Sequence, residues 1–263
     1  MELDDYTYIK REVLALTGID LNFYKDTQMQ RRLGTYLLRS GEPTWQNYFQ
    51  KAKRDSTELR KLRDYLTINV SSFFRDVEKY NALQNNVLPE LLKGRSSLRV
   101  WSAGCSRGQE PYTLAMMLTE LTGSFRRHYI LATDLDRSAL DAAIAGGPYT
   151  KDDVAYVPPA LYNRYFRESG GKYWVNDDLR KLITFRQHNL LADSFEMNFD
   201  LIVCRNVVIY FTAPVKDQLY YNFFKALRPG GVLFVGGTEI VPKATEIGFD
   251  AAGISFYRRN GAK

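Results

Sequence analysis

Apolar positions follow two different periods along this chain, and the period changes near residue 98. Up to about residue 70 they recur at helical spacing, with no strand-like alternation. From Thr27 to Arg39, Met29, Leu33, Tyr36 and Leu37 fall at i, i+4, i+7 and i+8, which is one face of a helix. Gln28, Arg31, Arg32, Thr35 and Arg39 share the opposite face. The pattern predicts a helix that packs by one stripe and presents a basic stripe to solvent. Gly41-Glu42-Pro43-Thr44 breaks it, Thr44 serves as N-cap of the next helix, and Ser56 or Thr57 opens a third that ends near Leu66.

From Leu98 onward short apolar runs alternate with helical patterns. Strands are expected over 98–103, 129–134, 183–187, 199–204 and 231–236, and helices over 77–93, 109–122, 137–145 and 213–228. Leu227-Arg228-Pro229-Gly230-Gly231 stops the last helix and turns the chain into Val232-Leu233-Phe234-Val235. Between Pro148 and Leu182 the order lapses. Arg164-Tyr165-Phe166, Gly170-Gly171 and Tyr173-Trp174-Val175 there predict a small inserted hairpin. The tail from Gly248 to Arg259 reads as a terminal strand or hairpin. The whole is a doubly wound α/β domain behind a helical N-terminal region, without internal repeats or low-complexity tracts.

Composition narrows the class. At 263 residues, with 45% hydrophobic and 25% charged side chains, the chain has the make-up of a soluble globular protein with a sizeable core. No apolar run approaches the roughly 20 residues needed to span a bilayer, and the acidic start Met1-Glu2-Leu3-Asp4-Asp5 is unlike a signal peptide. Two cysteines and two histidines, with no Cys-x-x-Cys pair, argue against a metal site and for a cytoplasmic, reducing location. Between Lys25 and Arg63 lie ten Lys/Arg and four Asp/Glu, a net of +6, which equals the net charge of the whole chain. The excess positive charge is therefore concentrated in one N-terminal stretch. That suits an acidic partner: nucleic acid, anionic lipid or an acidic protein surface.

The candidate chemistry begins at Trp101-Ser102-Ala103-Gly104-Cys105-Ser106-Arg107-Gly108-Gln109-Glu110, a strand running through a glycine turn into a helix. Such a turn lets a nucleotide-like ligand touch backbone at the carboxyl edge of a sheet, because glycine holds no side chain in the way. The next strand ends in Asp134, an acid placed to accept hydrogen bonds from both ribose hydroxyls of an adenosine. Asp134 could instead cap the following helix, a role also open to Asp136. Turn and acid together point to an adenosine-containing ligand and leave a nicotinamide cofactor and S-adenosylmethionine both open. Cys105 is expected to be a small buried residue, and Phe73 and Phe74 to be core.

Four segments bear on the choice: Asn69-Val70-Ser71-Ser72-Phe73-Phe74-Arg75, the glycine turn, Asn189-Leu190-Leu191, and Cys204-Arg205-Asn206-Val207-Val208-Ile209-Tyr210-Phe211. With Leu227-Arg228-Pro229-Gly230-Gly231 and then Gly237-Thr238-Glu239, this order resembles the chemotaxis receptor glutamate methyltransferases, the CheR family, over nearly the whole chain. The resemblance implies a class I methyltransferase sheet, with an N-terminal helical, receptor-facing domain over 1–70 and a linker and connecting helix over 71–97. The methyltransferase domain would follow over 98–263, with a β insertion at about 150–182. It implies S-adenosylmethionine as cofactor, S-adenosylhomocysteine as product, and methyl esters on glutamates of the cytoplasmic helical region of chemoreceptors. Nucleic acid and membrane insertion are not implied, and a monomer is expected.

By position the family's cofactor contacts fall on Asn69, Ser71, Arg75, Gly104, Glu110, Asp134, Asn189, Leu190, Arg205 and Asn206. Arg75 and Tyr210 carry the catalytic expectation, with Tyr210 near the transferred methyl, and Arg31, Arg32 and Arg39 are expected to dock the receptor. Arg107 and Gln109 stand where the family commonly has a small polar residue and glutamate, and Gly236-Gly237-Thr238-Glu239 departs from the usual version of that turn. The short Glu168-Ser169-Gly170-Gly171-Lys172 loop predicts docking without a receptor's C-terminal peptide. Two other readings are a methyltransferase acting on RNA and a cofactor-binding adaptor without catalysis. A nicotinamide dehydrogenase fits least, lacking a third glycine and an evident proton-transfer residue.

Overall fold

The computed structural model describes residues 3–123 and 128–261, so Met1 and Glu2, on which the signal-peptide reading partly rests, lie outside the described residues. Two compact units are present: Met1–Ile68 with Ile209–Lys216, and Asn69–Val208 with Asp217–Lys263.

The first unit holds α1 (Leu3–Thr17), α2 (Asp26–Ser40), α3 (Trp45–Ala52) and α4 (Ser56–Leu66). Local chemistry sets their ends. Gly41 closes α2 in a left-handed conformation, and the Thr44 hydroxyl accepts from the Asn47 amide to open α3. Asp55 accepts from the Thr57 amide to open α4. Met29, Leu33 and Tyr36 are buried as the helical face requires, and Tyr36 meets Tyr48 hydroxyl to hydroxyl at 2.8 Å. Residues 209–216 join this unit through main-chain bonds: Lys25 N–H donates to the Tyr210 carbonyl at 3.0 Å, and Thr212 N–H to that of Phe23 at 3.0 Å.

In the second unit the helix expected over 77–93 is instead α5 (Val77–Ala82) and α6 (Leu88–Leu92), joined by a π turn at Leu83–Val87. Pro89 accounts for the wider turn. It has no N–H to donate, and its ring crowds the carbonyl four residues back. Then come β1 (Arg99–Ala103), α7 (Gln109–Thr122), β2 (Tyr129–Asp134), α8 (Arg137–Ala145), α9 (Pro159–Tyr165), β3 (Phe166–Ser169), β4 (Lys172–Val175), α10 (Asp177–Arg180), β5 (Ile183–Gln187), β6 (Phe199–Cys204), α11 (Ala213–Ala226), β7 (Leu227–Val235), α12 (Ala244–Ile247), β8 (Phe249–Ala251) and β9 (Phe256–Arg259).

Among the described residues seven strands form one sheet in the order β5-β2-β1-β6-β7-β9-β8, parallel except where β9 pairs antiparallel with β7 and β8. β7 begins at Leu227, earlier than the expected 231. Leu227 pairs with Phe199 and Val232 with Leu201, so Arg228–Gly231 bulges out opposite Asp200 alone. The expected hairpin insertion is β3 and β4, turned by Gly170 and Gly171, both at positive φ.

Both faces of the central strands β1, β2 and β6 are buried, which is why these read as apolar runs. On one side Val100, Ala132, Leu201, Val203, Val232 and Phe234 pack with Tyr80, Leu88, Leu114 and Met117 from the helices. On the other, Trp101 lies against Phe195, Phe199 and Phe223, with ring centroids 4.8–5.6 Å apart. Trp101, Phe199 and Phe223 are fully buried, and such a side chain contributes about 1.5–3 kcal/mol. Among the described residues no helix is long and apolar enough to cross a membrane.

Candidate active site

β1 and β2 lie side by side, so the glycine turn after β1 and the acid ending β2 meet at the carboxyl edge of the sheet. Gly104 and Cys105 N–H both donate to the Thr133 carbonyl at 2.8 and 2.9 Å, and Ser106 N–H donates to Asp134 Oδ2 at 2.7 Å. These turn amides are therefore engaged with β2, which corrects the expectation that the glycines free them for a ligand. The glycines have another cause. Gly104, at φ +87°, would drive a Cβ to 2.4 Å from Val207 Cγ2, and Gly108, at φ +91°, to 2.9 Å from Ala143 Cβ.

Asp134 Oδ1 accepts from Asp136 N–H at 2.9 Å, while Asp136 itself caps α8 through the Ala139 amide. The cap role thus falls to Asp136, and Asp134 stands at the strand tip with its carboxyl pushed up to about 6 by burial. Asn69 bridges this corner: its Nδ2 donates to Asp136 Oδ2 at 2.5 Å, and its Oδ1 accepts from Ser106 Oγ at 2.9 Å. His188 N–H donates to the Asp134 carbonyl at 2.9 Å, which brings Asn189 and Leu190 to the same edge. Asn189 spends its side chain on a turn, accepting from Leu191 N–H at 2.9 Å.

Glu110 opens α7. Its Oε1 accepts from Ser102 Oγ at 2.8 Å, and burial raises its carboxyl, opposed by the Arg205 cation. Arg205, just past β6, has a side chain only 3% exposed. Its guanidinium lies 5.1 Å from the Tyr80 ring centroid and 4.8 Å from that of Phe234, donates to Asp76 Oδ2 at 2.5 Å, and has Nη1 4.0 Å from Glu110 Oε2. Asn206, at φ 60°, donates its N–H to Glu239 Oε2 at 3.0 Å. Arg75 is half-buried and donates to the Val70 carbonyl at 3.1 Å. The Ser71 carbonyl accepts from Gln109 Nε2 at 3.4 Å, and that amide also donates to Asp153 at 3.1 Å. Gln109 thereby ties the 69–75 segment to the insertion, where a glutamate would face Asp153 charge to charge.

Asp76, Tyr80, Ser102 and Glu239 join these contacts without being among the residues expected from the sequence. The available signals were an acid directly after Arg75, a serine inside an apolar strand, and the conspicuous Gly-Gly-Thr-Glu turn. Phe73, Phe74 and Cys105 are buried, as expected. In the first unit, Arg31 and Arg39 are exposed on α2. Arg32 is not part of a free basic stripe: it donates to the Tyr65 carbonyl and sits 4.7 Å from that ring's centroid, while Tyr65 Oη donates back to the Arg32 carbonyl at 3.1 Å. It holds α4 to α2. Tyr210 belongs to the same unit by its main-chain bond to Lys25.

The residue chemistry fits an adenosylated amino acid. Asp134 offers a carboxylate to vicinal hydroxyls, Glu110 a buried carboxylate to an ammonium, and Arg205 Nε is a buried donor without a partner. The sheet order, parallel but for the antiparallel strand beside β7, is that of the class I, S-adenosylmethionine-dependent methyltransferases. A family description "CheR methyltransferase, SAM binding domain" matches residues 69–255, and "CheR methyltransferase, all-alpha domain" matches 4–67. A chemotaxis protein methyltransferase of Listeria monocytogenes is 44% identical over 255 residues, covering 96% of each chain. Its counterpart from Listeria innocua is 42% identical with the same coverage. Chemotaxis protein methyltransferase 1 of Pseudomonas aeruginosa is 37% identical over 84% of this chain and 85% of its own. The chain belongs to the CheR methyltransferase family.

Proposed function

We propose that this enzyme methylates glutamate side chains of chemoreceptors, a protein-glutamate O-methyltransferase, with residues 1–70 facing the receptor, 71–97 as linker and 98–263 carrying methyl transfer. The observation that carries this reading is the full-length relationship to chemotaxis protein methyltransferases in a chain that retains both Arg75 and Tyr210.

The cofactor supplies, when bound, a methyl group on a sulfonium cation. Asp134 would hold the ribose hydroxyls and Glu110 the α-ammonium, while Asn69, Ser71, Asn189, Leu190, Arg205 and Asn206 would complete the contacts. The acceptor glutamate needs no general base, since a carboxyl of pKa about 4.3 is already ionised at neutral pH. The protein's task is alignment and exclusion of water. Arg75 orients the carboxylate or cofactor by charge-assisted hydrogen bonds, and Tyr210 donates one hydrogen bond beside the methyl.

The test pairs labelled S-adenosylmethionine with a receptor cytoplasmic fragment from the same organism and scores volatile label released by mild base. Methanol that vanishes when the substrate glutamates are changed to alanine is expected. Stable label, or label on RNA, would end the proposal.

Docking is predicted to use Arg31 and Arg39. Arg31→Glu with Arg39→Glu should lower kcat/KM for the receptor fragment about tenfold at low salt, less at high salt, and leave S-adenosylhomocysteine affinity unchanged. Arg32 is kept in that variant because its loss would loosen α4.

A further inference from the structure

Arg205 lies between two carboxylates and treats them unequally: its close bond goes to Asp76 at 2.5 Å, while Glu110 is left at 4.0 Å. Glu110 is the deeper of the two, its side chain 12% exposed against 45% for Asp76. Asp76 is also held in a left-handed conformation, φ 63° and ψ 63°, at the start of α5. Sparsely populated backbone geometry of this kind persists where the surroundings enforce it, and it clusters at functional sites. The three side chains together carry a net charge of −1. One added cation beside Glu110 would neutralise them.

We infer that Asp76 is a positioning residue: by taking the near bond of Arg205, it keeps the guanidinium 4.0 Å from Glu110 Oε2 and leaves that oxygen open to the α-ammonium of the cofactor, while Oε1 accepts from Ser102. The inference rests on the reading of Glu110 as the ammonium's partner. With Asp76 neutralised, the guanidinium has one carboxylate left to pair with. It closes on Glu110, and the cofactor's ammonium then competes with an internal cation for the same oxygens. No covalent bond forms; the effect is a division of one cation between two anions.

The experiment is calorimetric titration with two probes, S-adenosylhomocysteine and its analogue carrying hydrogen in place of the α-amino group. Wild type is expected to prefer the amino form at least about thirtyfold. Asp76→Asn should bind S-adenosylhomocysteine about tenfold more weakly and the desamino analogue with unchanged affinity. Asp76→Glu, which keeps the charge, should restore most of the preference. In a Glu110→Gln background, Asp76→Asn should alter neither affinity by more than about twofold, because the two residues then act as one unit.

A merely structural Asp76 would weaken both ligands alike, and that result would overturn the inference, as would an unchanged preference in Asp76→Asn. Wild type binding both ligands equally would instead sink the reading of Glu110, and the inference with it. Far-UV circular dichroism of each variant confirms that folded protein is compared.

Discussion

Replacing Arg205 by leucine is expected to abolish measurable cofactor binding and to cost about 3–5 kcal/mol of stability, the usual penalty for removing one member of a buried charge group. The side chain is 3% exposed, and its guanidinium is ringed by Tyr80, Phe234, Asp76 and Glu110. Leucine fills much of the volume but supplies no cation. Asp76, 45% exposed, can turn to water; Glu110 cannot.

Glu110 is already pushed up by burial with Arg205 opposing the shift, so without the cation it rises further and holds its proton. The sign follows from proton counting. A carboxyl whose folded pKa lies above its unfolded value binds more protons when folded, so stability falls as pH rises from about 4.3 through the folded value. The variant's deficit should therefore open with rising pH and narrow toward acid. Thermal melts should place its transition roughly 10 °C below wild type at neutral pH. Arg205→Lys, with charge but no planar fork, should fall between the two. A leucine variant that melts with wild type and binds S-adenosylhomocysteine normally would remove the charge group from the account of this site.

Asp134→Asn should weaken S-adenosylhomocysteine binding about a hundredfold, since two hydroxyl bonds to a charged acceptor each lose about 1.4 kcal/mol. Its pH dependence is the sharper signature. The free carboxyl, raised to about 6 by burial, must be ionised to accept from both hydroxyls. Above pH 6 it is ionised before the ligand arrives, and affinity should be flat. Below pH 6, proton and ligand compete, and the dissociation constant should rise about tenfold per pH unit until the pKa of the complex is reached. In the asparagine variant that slope should vanish, leaving only the part due to Glu110, which burial also raises. Isothermal titration between pH 5 and 8 on both proteins separates the two acids. Identical slopes in wild type and variant would mean that Asp134 does not meet the ribose.

The glycine turn and the acid of the candidate site are legible in the sequence because their signals are local. A glycine turn between an apolar run and a helix, and an acid ending the next apolar run, are patterns within about ten residues. The cap assignment was also local, and the structure chose Asp136 over Asp134 because only Asp136 precedes the first helical turn at capping distance. The purpose of the glycines was not legible. The atoms that forbid a Cβ belong to Val207 and Ala143, far along the chain. Arg32 was misplaced for a related reason. Helical period assigns it to a face, whereas a long cationic side chain bends toward whatever ring and carbonyl lie in reach, here those of Tyr65.

The sequence by itself determined the alternating α/β order, the helical N-terminal region, the hairpin insertion and the family. Each rests on side-chain period, breakers and motif order, which the backbone expresses wherever it is placed. Tertiary structure alone decided the charge partition at the heart of the site. Asp76 and Arg205 are 129 residues apart in sequence, and Glu110 lies between them. Which carboxylate receives the near bond depends on the depth of each side chain and on the ångström that separates a hydrogen bond from a mere ion pair. No local pattern encodes that distance; the packing of α5, α7 and the end of β6 sets it.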